Sequence, residues 1–345
     1  MLIRHLRRWS RFLALALPLL LVACAPLDRA PSADWAIAIH GGAGVSPPLT
    51  NADEYAASLE RALEIGRDIL AEGGTSLDAV TAVVVDLEND PLFNAGRGAV
   101  LTNEERCELD ASIMNGADLQ CGAVASVTNV KSPILLARKV MTDSRHVFFT
   151  GNGAEAFAKE QGFSPVPNEY FQTERRKRSL ERAKEREQAG VIAPSGEPGY
   201  RGTVGAVALD SDGNLAAATS TGGLTNKRFG RVGDSPVIGA GTYADNASCA
   251  VSCTGTGELY IRHGISRALA ARLEFGGQSL SAAANALIFD VLPHDSGGLI
   301  AVDHRGRIAM PYNTPGMHRG CADANGRFEI SIFEEPIEVG GEVAP

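Results

Sequence analysis

The chain has 345 residues, 44% of them hydrophobic, and a formal net charge of −9. That is enough apolar material for a sizeable core in one large domain or two small ones, and the acidic balance argues against nucleic acid as a partner. Six cysteines in so long a chain do not make a disulfide scaffold, and the five after Cys24 are expected to be structural.

Residues 1–23 differ from the rest. Arg4, Arg7, Arg8 and Arg11 precede the apolar run LALALPLLLVA, and together they read as a signal peptide. The run is short for a membrane span, and Leu21-Val22-Ala23-Cys24 resembles the lipobox of bacterial lipoproteins, whose cysteine is acylated. The expectation is an exported, periplasmic protein anchored through Cys24, with plain secretion as the alternative. Removing the leader takes four arginines and no acidic residue, leaving a formal charge of about −13.

After the leader, WAIAIHGGAG (35–44) predicts a strand running into a glycine loop. Apolar positions from Tyr55 to Leu70 recur at helical spacing, and Thr75-Ser76-Leu77-Asp78 offers a capping signal for a second helix through TAVVVDLE. CGAVASVT then reads as a strand, SPILLARKVM as a helix, HVFFT as a strand and AEAFAKEQG as a helix. Residues 172–201 are crowded with charge, end in Pro and Gly, and read as a solvated, mobile segment. Beyond them come two hairpins of one design, TVGAVALD-SDG-NLAAATS and GGLIAVD-HRG-RIAMPYN.

Three stretches imitate familiar chemistry and fail on context. HDSGG (294–298) has no triad partners, GNGAEA (151–156) lacks the acidic residue of a dinucleotide site, and CAVSC (249–253) lacks a second pair of zinc ligands. Thr203 is different. A threonine hydroxyl needs a base, and cleavage between Gly202 and Thr203 would supply one: the new α-amine, with an unperturbed pKa near 8, can take the proton from its own hydroxyl. Gly202 suits such a junction because it tolerates strained backbone. Arg231 and Asp234, in GRVGDSP, are a cation and an anion three residues apart on a glycine-rich loop, a spacing that suits gripping both charged groups of a free amino acid.

HGGAG (40–44), PLFNAGRGAVL (91–101), ELDASIM (108–114), GTVGAVALD (202–210), ATSTGG (218–223), GRVGDSP (230–236), GAGTYADN (239–246) and SCTGTGE (252–258) occur in that order. Along nearly all its mature length the chain thereby resembles the plant-type asparaginase and isoaspartyl-peptidase family of N-terminal-nucleophile hydrolases. The resemblance implies an α+β fold, a four-layer αββα sandwich with two stacked antiparallel sheets between helical layers. It implies one catalytic domain that cuts itself into an α chain (24–202) and a β chain (203–345), with αβ units pairing as (αβ)2.

It further implies Thr203 as nucleophile, Thr221 as the threonine that tunes it, and Thr254 and Gly255 as the oxyanion hole. Asn94 would lie near the nucleophile, Arg231 and Asp234 would hold the substrate α-carboxylate and α-amine, and the Gly257 carbonyl would face that amine. No catalytic cofactor is implied, but main-chain carbonyls of Leu87, Glu88, Asp90, Phe93, Ala95 and Arg97 would wrap a structural sodium. The substrates implied are L-asparagine and β-aspartyl dipeptides. Glycosylasparaginase activity, or a non-catalytic amino-acid-binding lipoprotein, are the alternatives.

Overall fold

A computed structural model describes residues 33–49, 51–190 and 202–333. The expected signal peptide, the expected lipid site Cys24 and the stretch 191–201 lie outside them. Among the described residues no helix is long and apolar enough to cross a membrane.

Strand β1 (Ala36–Ala43) is buried along its whole length, and its alternation explains why. Ile37 and Ile39 face one core, while Ala36 and Ala38 face a second. Helices α1 (Ala52–Ala71) and α2 (Ser76–Asn89) cover the isoleucine side, α1 through Tyr55, Leu59, Ala62, Leu63, Gly66 and Leu70. Thr75 caps α2 by accepting the Asp78 N–H at 3.1 Å, as its sequence predicts. Then come β2 (Leu109–Asn115), β3 (Cys121–Val127), α3 (Pro133–Asp143), β4 (Phe148–Thr150) and α4 (Gly151–Glu160).

The charged segment departs from expectation, because Glu174–Gln188 is a helix, α5. Thr173 caps it, Leu180 is buried, and Arg176 is only 4% exposed, donating from Nε to the Gly98 carbonyl at 2.6 Å. Arg175 donates to the Leu92 carbonyl and the Tyr55 hydroxyl, both at 2.6 Å. Guanidinium groups that satisfy the carbonyls of a neighbouring loop hold this helix down where apolar residues are scarce.

Strands β5 (Val204–Leu209) and β6 (Leu215–Thr221) form the first expected hairpin. They are followed by β7 (Thr242–Ala244), β8 (Cys249–Gly255), α6 (Gly257–His263), α7 (Ile265–Glu274) and α8 (Leu280–Asn285), and then by β9 (Gly297–Asp303), β10 (Ile308–Ala309), β11 (Met317–Asp323) and β12 (Phe328–Ser331). The large sheet runs β12-β11-β1-β5-β6-β2-β3-β4 and the small one β10-β9-β8-β7. Every strand pair is antiparallel except β3 with β4, which is parallel, so the large sheet is mixed at that edge rather than wholly antiparallel. Helices α1 to α3 pack on the outer face of the large sheet and α7 and α8 on that of the small one, which makes the fold an αββα sandwich. Cys107, Cys121, Cys249, Cys253 and Cys321 are all free thiols, and all but Cys121 are buried.

Candidate active site

Strand register brings the first two threonines together. Val204 pairs with Ser220, so Thr203 and Thr221 stand side by side at the open end of the β5–β6 hairpin. By the two-residue period, both share a face with Val207, Leu209, Leu215 and Ala217, which line the core between the sheets. Thr203 Oγ1 lies 3.2 Å from Thr221 Oγ1, which also accepts the Gly223 N–H at 3.0 Å.

The carbonyl of Gly202 is the focus of this group. Asn94 Nδ2 donates to it at 2.9 Å, Thr221 Oγ1 at 3.1 Å, and Thr203 Oγ1 stands 2.7 Å away. Gly202 itself has φ of +149°, a region that side chains rarely enter. Asn94 is 1% exposed and fully engaged: its Oδ1 accepts the Val100 N–H at 2.9 Å, and Nδ2 reaches the Gly223 carbonyl at 2.8 Å. Because α5 grips the carbonyls of Leu92 and Gly98, this helix braces the loop that aims Asn94.

Thr254 and Gly255 end β8, and Thr254 Oγ1 accepts the Ala43 N–H at 3.4 Å. The preceding residue, Gly42, lies so close to the junction that a Cβ there would be 3.0 Å from Gly202 Cα and 3.2 Å from Thr203 N. The glycine-bearing end of β1 therefore bridges the Thr254 pair to the Gly202-Thr203 bond.

Asp234 is 4% exposed, and its Oδ2 has no hydrogen-bond partner among the described residues. Burial pushes its carboxyl up to about 7, against the pull of Arg231. Arg231 turns instead to Glu258, donating from Nε and Nη2 to its two oxygens at 3.0 and 2.9 Å. Gly257 keeps the space between the charges open, since a Cβ there would stand 2.8 Å from Asp234 Oδ1 and 2.9 Å from Arg231 Nη2. Sequence reasoning missed Glu258, although it sits beside Gly257 in the quoted SCTGTGE. It also passed over His40, whose signal was its place on the two-residue period of Ala36 and Ala38, directly before the glycines of the same strand.

The loop after α2 closes on itself: the carbonyls of Leu87, Glu88 and Asp90 accept the N–H groups of Asp90, Arg97 and Phe93 at 3.4, 2.7 and 3.3 Å. A Cβ at Gly98 would meet the carbonyl oxygens of Pro91 and Phe93 at 2.5 and 2.8 Å, so two main-chain oxygens lie close together there. Ala95 is buried and Arg97 exposed on the same loop. The Glu88 side chain points elsewhere and accepts from Ser220 Oγ at 2.6 Å, from the Ile134 N–H at 3.0 Å and from Ser132. Burial raises this carboxyl to about 7. Among the described residues no cluster of His, Cys, Asp and Glu side chains could hold a metal ion.

A family model described as asparaginase matches residues 33–332. The isoaspartyl peptidase of Escherichia coli (strain K12) is 49% identical over 309 residues, covering 87% of this chain and 96% of that protein. A probable isoaspartyl peptidase/L-asparaginase 2 of Arabidopsis thaliana is 43% identical, with 87% and 99% covered, and the isoaspartyl peptidase/L-asparaginase of Mus musculus is 42% identical, with 89% and 93% covered. With the match spanning nearly every described residue and relatives aligned almost end to end, the chain belongs to the asparaginase family.

Proposed function

We propose that this protein is a self-cleaving threonine amidohydrolase that releases aspartate from L-asparagine and from β-aspartyl dipeptides. The observation that carries the reading is the convergence of Asn94 Nδ2, Thr221 Oγ1 and Thr203 Oγ1 on the Gly202 carbonyl. Two donors polarise the carbonyl that Thr203 would attack, and they would stabilise the charge that develops on its oxygen. The Thr203 hydroxyl can pass its hydrogen to Thr221 Oγ1 while Thr221 gives its own to the Gly202 oxygen, which frees an oxygen lone pair for the carbon and leaves a proton available to the nitrogen when the 202–203 bond breaks. Oγ attack and rupture of the 202–203 bond transfer the Gly202 acyl group to oxygen, the freed Thr203 nitrogen takes up a proton, and water then hydrolyses the ester.

After cleavage the Thr203 α-amine acts as base for its own hydroxyl. A substrate held at Arg231 by its α-carboxylate and at Asp234 and the Gly257 carbonyl by its α-ammonium presents its β-carbonyl to Oγ, with Thr254 Oγ1 and the Gly255 N–H as oxyanion donors. Ammonia or the dipeptide's amine leaves, and water releases aspartate. The relatives named isoaspartyl peptidase and isoaspartyl peptidase/L-asparaginase favour this substrate class.

The same proposal includes a sodium ion held by carbonyls of the 87–97 loop, stiffening the support of Asn94 without entering the chemistry. It also includes export to the periplasm with an anchor at Cys24, for which the leader composition is the support, and pairing into (αβ)2. The deciding experiment is denaturing electrophoresis of purified protein with N-terminal sequencing of the smaller fragment, followed by assays on asparagine and β-Asp-Leu. Two chains, the smaller beginning Thr-Val-Gly-Ala, and loss of both cleavage and hydrolysis in Thr203→Ala are expected. Hydrolysis by a chain that stays intact would overturn the mechanism.

A further inference from the structure

A buried polar line crosses the core between the two sheets. It begins at His40, within β1, and runs through Ser252 of β8, Thr219 of β6, Thr242 of β7 and Ser112 of β2, every one fully buried. His40 Nδ1 is 3.1 Å from the carbonyl oxygen of Thr203, and Nε2 is 2.9 Å from Ser252 Oγ. Ser252 Oγ is 2.7 Å from Thr219 Oγ1, which is 2.6 Å from Thr242 Oγ1, which is 2.8 Å from Ser112 Oγ. At the far end Ser112 Oγ stands 2.6 Å from the carbonyl of Ser235, the residue after Asp234.

The hydrogens along this line can be assigned by elimination. A carbonyl only accepts, so the Thr203 oxygen requires that His40 Nδ1 carry the proton. Burial holds the imidazole down to about 3, so the ring is neutral at any working pH and Nε2 is a bare acceptor. Ser252 must then donate to Nε2 and Thr219 to Ser252, and Thr242 gives its hydrogen to Thr219 at 2.6 Å in preference to the Ser235 carbonyl at 3.2 Å, so each hydroxyl spends its one hydrogen toward His40. Ser112, last in line, is shared between Thr242 and the Ser235 carbonyl. Hydrogen bonds aligned head to tail in a low-dielectric interior strengthen one another, and the sum arrives at Nδ1–H.

The backbone makes room for this. His40 pairs with Gly205 across β1 and β5, and a Cβ at 205 would lie 2.1 Å from Ser252 Oγ and 2.4 Å from His40 Nε2. Any other residue there would break the first link. What the line terminates on matters as well: a chain terminus is free to turn about its Cα–C bond, and a fixed hydrogen bond to the Thr203 carbonyl removes that freedom.

We propose that His40 is a positioning residue for Thr203, held as its Nδ1–H tautomer by the hydroxyl line from Ser252 to Ser112, and that this line ties the nucleophile's carbonyl to the loop bearing Asp234. The proposal rests on Thr203 being the nucleophile. His40 touches neither substrate nor the reacting atoms, so its loss should appear in kcat and in self-cleavage rather than in KM.

The test compares His40→Asn, whose amide nitrogen falls where Nδ1 was and can still donate to Thr203, with His40→Gln, which reaches the Nε2 position and cannot. His40→Gln is expected to lower kcat about a hundredfold, the usual cost of a small misplacement, with KM within about threefold. His40→Asn should recover most of that loss. Equal activity of the two variants, or a loss confined to KM, overturns the proposal. Should either variant fail to fold, 15N NMR of the histidines in unaltered protein decides: a protonated Nδ1 and bare Nε2 at His40 are expected, unchanged from pH 5 to pH 9, and an Nε2–H tautomer refutes the line as drawn. Thr203→Ala in the same assays separates the two readings, because activity in that variant would sink the nucleophile and not the tautomer.

Discussion

Asp234 offers a quantitative test of how the substrate is held. Its carboxyl is buried, with one oxygen unpartnered, and sits at about 7 rather than the ordinary 3.8. If its charge is what binds the substrate ammonium, the useful form is the ionised one, which makes up about 91% at pH 8 and about 1% at pH 5. Discrimination that depends on this charge should therefore fall about ninetyfold over that interval, whereas an ordinary aspartate would lose almost nothing. The Thr203 α-amine also titrates, near 8 when unperturbed, so the pH profile of asparagine alone would mix two groups. The ratio of kcat/KM for asparagine to that for succinamic acid, which lacks only the α-amine, cancels the nucleophile's contribution. That ratio should drop about ninetyfold from pH 8 to pH 5 in the unaltered enzyme and stay flat in Asp234→Asn. A ratio that is constant with pH in the unaltered enzyme would mean that Asp234 does not hold the ammonium by its charge.

Other perturbations read other parts of the site. Asn94→Ala removes one donor from the Gly202 carbonyl and should slow self-cleavage about 10²- to 10³-fold, followed by the disappearance of intact chain on denaturing gels. Glu88 is a raised, fully buried carboxyl, so the fold favours its protonated form: the stability it contributes is complete below its ordinary 4.5 and lost as pH rises through about 7. Urea unfolding should therefore show the unaltered protein losing about 3 kcal/mol more than Glu88→Gln between pH 4 and pH 8. Exchanging sodium for tetramethylammonium should lower Tm by a few degrees if the 87–97 loop holds the cation, and an unchanged Tm removes the ion.

Much of this was legible in the sequence, for identifiable reasons. The alternation in AIAIH, the capping signal at Thr75 and the Asp-x-x-Gly turns are local physics, and each appears where expected. Asp210 and Asp303 each use Oδ1 to accept two N–H groups of their turn, at 3.2 and 2.9 Å and at 2.9 and 3.0 Å. Asp323 does the same at 2.8 and 3.3 Å, so CADANGRFE is a third hairpin of the same design. What could not be read locally was long-range satisfaction of charge. Helix α5 looked like solvated chain because its anchors are arginines, and their partners are carbonyls more than 75 positions upstream. The line from His40 to Ser112 was invisible for the same reason: serines and threonines on four strands are ordinary until sheet order puts them in one row.

The two ends of the proposed substrate grip are built to contribute differently. Arg231 already holds a carboxylate in both prongs of its fork, that of Glu258, which shows the fork is shaped and oriented before substrate arrives. Arg231 is partly buried and Glu258 half-exposed, with side-chain exposures of 18% and 46%, and the Glu258 carboxyl is drawn below its usual range chiefly by that hydrogen bond. A substrate carboxylate has to displace or share this two-pronged contact, so it gains only the difference between the two. Asp234 has no such stand-in. Its desolvation is already incurred in folding, its Oδ2 is unpartnered, and an arriving ammonium relieves a penalty as well as making a contact. On this arithmetic the α-carboxylate chiefly sets orientation, and the α-ammonium supplies the larger share of the discrimination.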